Sequence, residues 1–179
     1  MLDILILLVH PAVAQSPIHS CLTEAAAKLK HVSIHNLYAT YPDFVIDRTC
    51  EQELLQAHDV ILMQHPLYWY SSPALLKEWQ DVVLDHGFAY GEGGSALHGK
   101  ALQQVVTTGS TSQAFTGEGD SRTMEEVLIP FERTARKCGM RYLPPYVIHN
   151  AGRLGEKETE REVWRYRKHL ESYHGFRHD

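Results

Sequence analysis

Cysteine is scarce in this sequence. Cys21, Cys50 and Cys138 are the only three in 179 residues, far apart and without a CxxC pair. So odd and sparse a set argues against a disulfide scaffold or a structural zinc site, and suits a reducing cytosol. A basic excess is missing too: 17 Lys and Arg stand against 22 Asp and Glu, a net charge of −5 with histidine neutral. Binding by counterion release draws on a basic face, so nucleic acid is not expected as a partner. No stretch approaches the ~18 apolar residues of a transmembrane helix. The run Ile4 to Val9, followed by Ala12-Val13-Ala14, imitates a secretion signal. It has no basic n-region, carries Asp3 instead, and is too short for an h-region. It reads as a buried strand.

Several catalytic motifs are also lacking. Gly94 to Lys100 matches GxxxxGK, but Ala101 stands where a P-loop needs Ser or Thr, and the segment runs into a strand rather than a helix. No GxGxxG follows the first strand, so a dinucleotide is not held in that way. His10 ends strand 1 where a receiver domain would want acids. Twelve histidines include no HExxH or comparable ligand spacing, so no metal is expected, and His169, His174 and His178 read as solvated. What remains is ordinary globular stock, 44% hydrophobic and 22% charged, enough for one domain over 1–179 with its own core.

Along the chain, five apolar runs read as strands: 2–9, 32–37, 59–64, 101–108 and 142–149, the last interrupted early by Pro144-Pro145. Five amphipathic segments alternate with them. These carry Leu22, Ala25, Ala26 and Leu29; then Leu54 and Leu55 behind an Asp47 N-cap; then Leu75, Leu76, Trp79, Val82 and Val83. The fourth carries Met124, Val127, Leu128, Phe131, Ala135 and Cys138, and the fifth Val163, Tyr166, Leu170 and Tyr173. Alternation of this kind predicts an α/β fold with a doubly wound five-stranded parallel sheet, and the short early strands with an apolar third strand are compatible with the flavodoxin-like order 2-1-3-4-5. Ligands of such sheets sit beyond the carboxyl ends of strands 1, 3 and 4.

Three loops are therefore the candidates. HPAVAQSPIH, from His10 to His19, has no acid and offers the Ser16 hydroxyl, His19 and the free N–H groups of a helix start, a phosphate site that needs no lysine. A solvated turn with an ordinary N-cap serine fits that loop equally well. Leu67-Tyr68-Trp69-Tyr70 places three aromatics where loops carry small polar residues; flat faces suit a heteroaromatic ring, and an interface patch is the alternative. Thr107-Thr108-Gly109-Ser110 ends a buried strand, and Gly109 lets the backbone approach a ligand closely. Together they describe a phosphate end, a ring platform and a hydrogen-bonding edge. No side chain stands out as an obligatory acid or base.

These residues carry a resemblance. Tyr41-Pro42-Asp43-Phe44 with Ile46-Asp47, QHPLYWYSSPALLKEW from Gln64 to Trp79, HGFAYGEGG from His86, LHGK from Leu97, VTTG from Val106 and Leu143-Pro144-Pro145 resemble the flavodoxin-like NAD(P)H:quinone oxidoreductases. Within them the likeness is to the KefF/KefG group, ancillary proteins of bacterial glutathione-gated potassium efflux. The resemblance implies an FMN-binding homodimer on the cytoplasmic face of the inner membrane, held there only through a Kef-type potassium/proton antiporter, with NAD(P)H and a quinone as substrates. It implies FMN contacts from His10, from Ser16, Pro17, Ile18 and His19, from Leu67, Tyr68, Trp69 and Tyr70, and from Thr107, Thr108, Gly109 and Ser110. A non-catalytic regulatory subunit with structural FMN is the other function the resemblance allows. Animal quinone reductases of this fold use a tyrosine and a histidine beyond the last loop, where alignment puts Phe115 and Ser121.

Overall fold

Strand β1 (Ile4–Leu8) is buried along its whole length, as its uninterrupted aliphatic run requires of a strand covered on both faces. In the computed structural model, which describes residues 2–173, it pairs in parallel with β2 (Val32–Asn36) on one side and β3 (Val60–Pro66) on the other. Ile6 lies opposite both Ile34 and Leu62. Beyond β3 comes β4 (Ala101–Thr107), then an edge built from β5 (Arg141–Tyr142) and β6 (Tyr146–Ile148). The order 2-1-3-4-5 is the expected one, but the sheet has six strands rather than five. The predicted fifth strand is cut in two because Pro144 and Pro145 have no N–H to give the ladder. Pairing to β4 stops after Leu143 and resumes at Tyr146.

Among the described residues the helices are α1 (Pro17–Ala26), α2 (Leu37–Thr40), α3 (Arg48–Ala57), α4 (Ala74–Val83), α5 (Met124–Val127), α6 (Ile129–Lys137) and α7 (Glu156–Ser172). Helices α1 and α7 cover one face, packing Leu22, Ala26, Tyr166 and Leu170 on Ile4, Ile6, Leu62 and Val105. Helices α3, α4 and α6 cover the other, where Leu55, Leu76, Trp79 and Phe131 meet Leu5, Leu7, Ile61 and Met63. The Asp47 side chain does cap α3, accepting from the Cys50 N–H at 3.0 Å. The predicted helix over 124–138 is instead two, broken at Leu128, because Pro130 cannot continue the hydrogen bonding of α5 and starts α6. His169 is partly buried rather than solvated: its Nε2 lies 2.7 Å from Gln103 Oε1 and its ring 4.9 Å from that of Tyr146. His174 and His178 lie outside the described residues.

The motif around Tyr41 and Trp79 has a structural basis. Glu51 is fully buried, and its carboxylate accepts from Tyr41 Oη and His35 Nε2 at 2.6 Å each and from Trp79 Nε1 at 2.7 Å. Burial pushes its pKa up, but these three donors outweigh that and hold it below the usual carboxylate value. One ionised side chain thus ties α3 to β2, to α4 and to the segment after α2. Likewise Lys100, which ends the false P-loop, gives its ammonium to the carbonyls of Gln56 and His58.

Candidate functional site

The chain leaves β1 toward one face of the sheet and β3 and β4 toward the other, so a crevice opens beyond their carboxyl ends. It is a cavity of about 430 Å³. Nine of the residues expected from sequence line it: His10, Ser16, Pro17, Ile18, Leu67, Tyr68, Thr107, Thr108 and Gly109. His19, Trp69, Tyr70 and Ser110 do not, each for a physical reason.

At one end stands the start of α1. Ser16 is its N-cap, yet its hydroxyl caps nothing. Pro17 has no N–H, and the first helical bond runs from Ser20 N–H to the Ser16 carbonyl at 3.0 Å. The N–H groups of Ile18 and His19 are therefore open, with the positive end of the helix dipole behind them. Among the described residues no lysine or arginine lines the cavity. The His19 side chain turns inward, fully buried, with Nε2 2.8 Å from Thr107 Oγ1. Burial, with smaller contributions from His10 and His65, drives its pKa down to about 3. It is a neutral strut between α1 and β4 and not a cation for a phosphate; only its N–H serves the loop. His10 lines the cavity, its Nδ1 accepting from the Ala12 N–H at 3.0 Å, its ring 4.8 Å from that of His19 and its pKa lowered by burial.

After β3, Tyr68 and Ser71 exchange two backbone hydrogen bonds of 2.9 Å, closing a hairpin whose two tip residues are Trp69 and Tyr70. Both have positive φ, 49° and 61°, the pattern of a type I′ turn that normally demands Asn and Gly. Leu67 and Tyr68 face the cavity from the hairpin stem. Trp69 and Tyr70, at the tip, are 94% and 72% exposed. Large side chains held in left-handed backbone are strained, and such strain collects at functional sites.

The last loop is pinned. Thr108 N–H donates to the Ile148 carbonyl, Ala151 N–H to the Thr108 carbonyl, and Asn150 N–H to the Ser110 carbonyl, at 2.9–3.0 Å. Ser110 gives its N–H to Thr108 Oγ1 at 2.9 Å, and its exposed side chain does not line the cavity. The Gly109 N–H has no partner among the described residues, and a Cβ there would meet no protein atom within 4 Å. The glycine keeps cavity space open rather than serving an unusual φ.

Sequence reasoning missed Ala12, Gln15, Pro66, Ala151 and Gly152, which also line the cavity. Ala151 and Gly152 had a findable signal: β6 pairs with β4, Thr107 opposite Ile148, so the loop after β6 must lie beside the loop after β4. Of the positions aligned with a catalytic Tyr/His pair, Ser121 spends its hydroxyl on the Ala114 carbonyl at 2.9 Å. Phe115 packs against the His149 ring at 5.6 Å. The buried Nδ1 of His149 has no hydrogen-bond partner among the described residues, and burial lowers its pKa.

This geometry is that of a known family. Residues 3–173 match the model of Flavodoxin_2, a flavodoxin-like fold. The chain belongs to the Flavodoxin_2 family. It is 49% identical over 152 residues to the glutathione-regulated potassium-efflux system ancillary protein KefG of Pectobacterium carotovorum, covering 84% of this chain and 83% of that one. The crystal structure of general stress protein 14 from Treponema denticola in complex with FMN superposes with a TM-score of 0.88 at 37% identity, over 95% of this chain and 98% of that one. An NADPH-quinone reductase from P. pentosaceus superposes with a TM-score of 0.85 at 35% identity, over 93% and 96%.

Proposed function

We propose that the cavity binds FMN and that the chain, a single domain, is an NAD(P)H:quinone oxidoreductase serving as ancillary subunit of a Kef-type potassium/proton antiporter. One observation carries the cofactor reading. A single cavity is lined by the uncapped start of α1, with the free Ser16 hydroxyl, and by Tyr68 and Gly109, whose N–H has no partner among the described residues. A phosphate fits the first and a ring with an acceptor edge fits the second. The FMN complex of the Treponema denticola relative supports the same assignment. The absence of lysine and arginine agrees with a phosphate held by backbone and hydroxyl alone.

Bound FMN would supply reversible two-electron acceptance, first from the nicotinamide and then toward the quinone. The chain's part is to hold and shield it. Ser16 and the Ile18 and His19 N–H groups would anchor the phosphate. Leu67 and Tyr68 would bear on the ring, and the Gly109 N–H would donate to its electron-accepting edge. Trp69 and Tyr70, standing outside the cavity, are placed to meet an incoming quinone or a second subunit. With Phe44 and Val45 they are exposed apolar side chains of the kind a homodimer buries. Among the described residues no helix is long and apolar enough to cross a membrane. Placement on the cytoplasmic side of the inner membrane would come through the antiporter; the KefG relatives are named as ancillary proteins of a potassium-efflux system.

A second reading is favoured by Phe115 and the tied Ser121 hydroxyl: no acid or base from that loop faces the cavity, as suits a regulatory subunit whose FMN is structural. An absorbance spectrum of the purified protein, followed by anaerobic NADH or NADPH, separates the two. Flavin bands that bleach within seconds and return on adding quinone support the oxidoreductase. Bands that persist support the structural role. No flavin, even after FMN is supplied, overturns both.

A further inference from the structure

A buried chain of side chains runs from α7 to the cavity wall. Tyr166 Oη lies 2.8 Å from Gln64 Oε1, Gln64 Nε2 lies 3.4 Å from His19 Nδ1 and 3.5 Å from Thr23 Oγ1, and His19 Nε2 lies 2.8 Å from Thr107 Oγ1. Tyr166, Gln64 and His19 are all fully buried. A chain of this kind can be polarised in two directions, with opposite consequences for the pocket. Hydrogen-bond accounting decides between them.

The Thr23 hydroxyl donates to the His19 carbonyl at 2.7 Å, so toward Gln64 it can only accept. That turns the Gln64 amide nitrogen toward Thr23 and His19, and its oxygen toward Tyr166. The phenol proton of Tyr166 then has its acceptor. Flipping the amide would leave that proton buried with none, because Tyr166 bonds only to Gln64 among the described residues, and a buried unpaired donor bears its full desolvation penalty. With Gln64 Nε2 donating, His19 Nδ1 accepts. The neutral ring, set by its burial, carries its one proton on Nε2, which donates to Thr107 Oγ1. The proton of Thr107 is then excluded from His19 and has no other acceptor among the described residues, while Thr107 lines the cavity.

We infer that Tyr166, Gln64 and His19 form a positioning relay that fixes the His19 tautomer and makes the Thr107 hydroxyl a hydrogen-bond donor into the pocket. The group it serves is an acceptor-only oxygen, such as a phosphate carries. This rests on the FMN reading of the same cavity. It adds that the binding polarity of Thr107 is imposed from beneath the pocket, by the buried side chains of Tyr166 and Gln64, which do not line it.

The test has two independent readouts. In the protein without added flavin, a long-range ¹H–¹⁵N spectrum of the histidine rings reports the His19 tautomer, expected as Nε2–H in the wild type and mixed in Tyr166→Phe. FMN affinity, read by fluorescence quenching, should fall about tenfold in Thr107→Val and several-fold in Tyr166→Phe, a tenfold loss being about 1.4 kcal/mol. Thr107→Ser should recover most of what Val loses. An Nδ1–H His19 in the wild type, or FMN binding by Thr107→Val equal to wild type, would overturn the relay. If the wild type takes up no FMN, the function reading fails instead, and the His19 tautomer alone decides the relay.

Discussion

Replacing Trp69-Tyr70 with Asn-Gly should make the protein more stable and a poorer enzyme. Each residue holds a left-handed backbone, which costs an L-residue roughly 1–2 kcal/mol, whereas Asn and Gly are the natural occupants of such a turn. Little packing is given up in exchange, since Trp69 is 94% and Tyr70 72% exposed. Glycine returns about 0.5–1 kcal/mol through its freedom in the unfolded chain. The net expectation is a gain of about 1–3 kcal/mol in urea unfolding. The unfolding should be run at two protein concentrations, because stability drawn from a second subunit docked on these aromatics depends on concentration. FMN affinity should change less than about threefold, as neither side chain lines the cavity, while under the proposed oxidoreductase reading the quinone KM should rise about tenfold, near 1.4 kcal/mol of binding. Destabilisation at both concentrations would refute the strain argument. A stabilised variant with unchanged KM and unchanged oligomeric state would refute the functional role of the tip.

Glu51→Ala should cost about 3–5 kcal/mol by urea unfolding, because it strands the Tyr41 and Trp79 donors in the core. Since the Glu51 pKa is held down in the folded state, its contribution is full above the unfolded carboxylate range and is lost as pH falls through the folded value; Glu51→Gln should flatten that acid slope. His19 acts in the same direction: with a folded pKa of about 3 against 6.5 unfolded, stability should begin to fall below pH 6.5 and continue toward pH 3, and proton uptake on unfolding at pH 5 checks it. Gly109→Ala should leave stability within about 0.5 kcal/mol, as its Cβ meets no protein atom, yet weaken FMN binding by about tenfold by occupying cofactor space. Equal affinities would show that the cofactor lies elsewhere.

Much of the fold was legible from local pattern. Runs such as Ile4 to Leu8 and Val60 to Met63, apolar at every position, identify strands covered on both faces, and their alternation with amphipathic segments yields a doubly wound parallel sheet, with which the observed order is compatible. Breaks at Pro144-Pro145 and Pro130 were visible as residues, but their effect, two strands for one and two helices for one, depended on which N–H each neighbour required. Within the site, Ser16 and Gly109 were readable because a helix start and a strand-end glycine carry their meaning locally. Trp69 and Tyr70 were readable as a ring platform or as an interface patch, and the turn type leaves both exposed at the hairpin tip, outside the cavity lining.

The sequence by itself therefore determined the scaffold, the three loops beyond the strand ends and a phosphate end without lysine, because strand period, helix starts and turn punctuation are short-range properties. Tertiary structure alone decided which atoms of those loops are free to bind. Ser110 N–H is spent and Gly109 N–H is open, His19 faces the core and Ala151 the cavity, according to partners far off in the chain. Gln64 and Tyr166, 102 residues apart, set the polarity of a hydroxyl neither of them touches. A hydrogen bond is a property of pairs, and which pairs form is known only once the chain is folded.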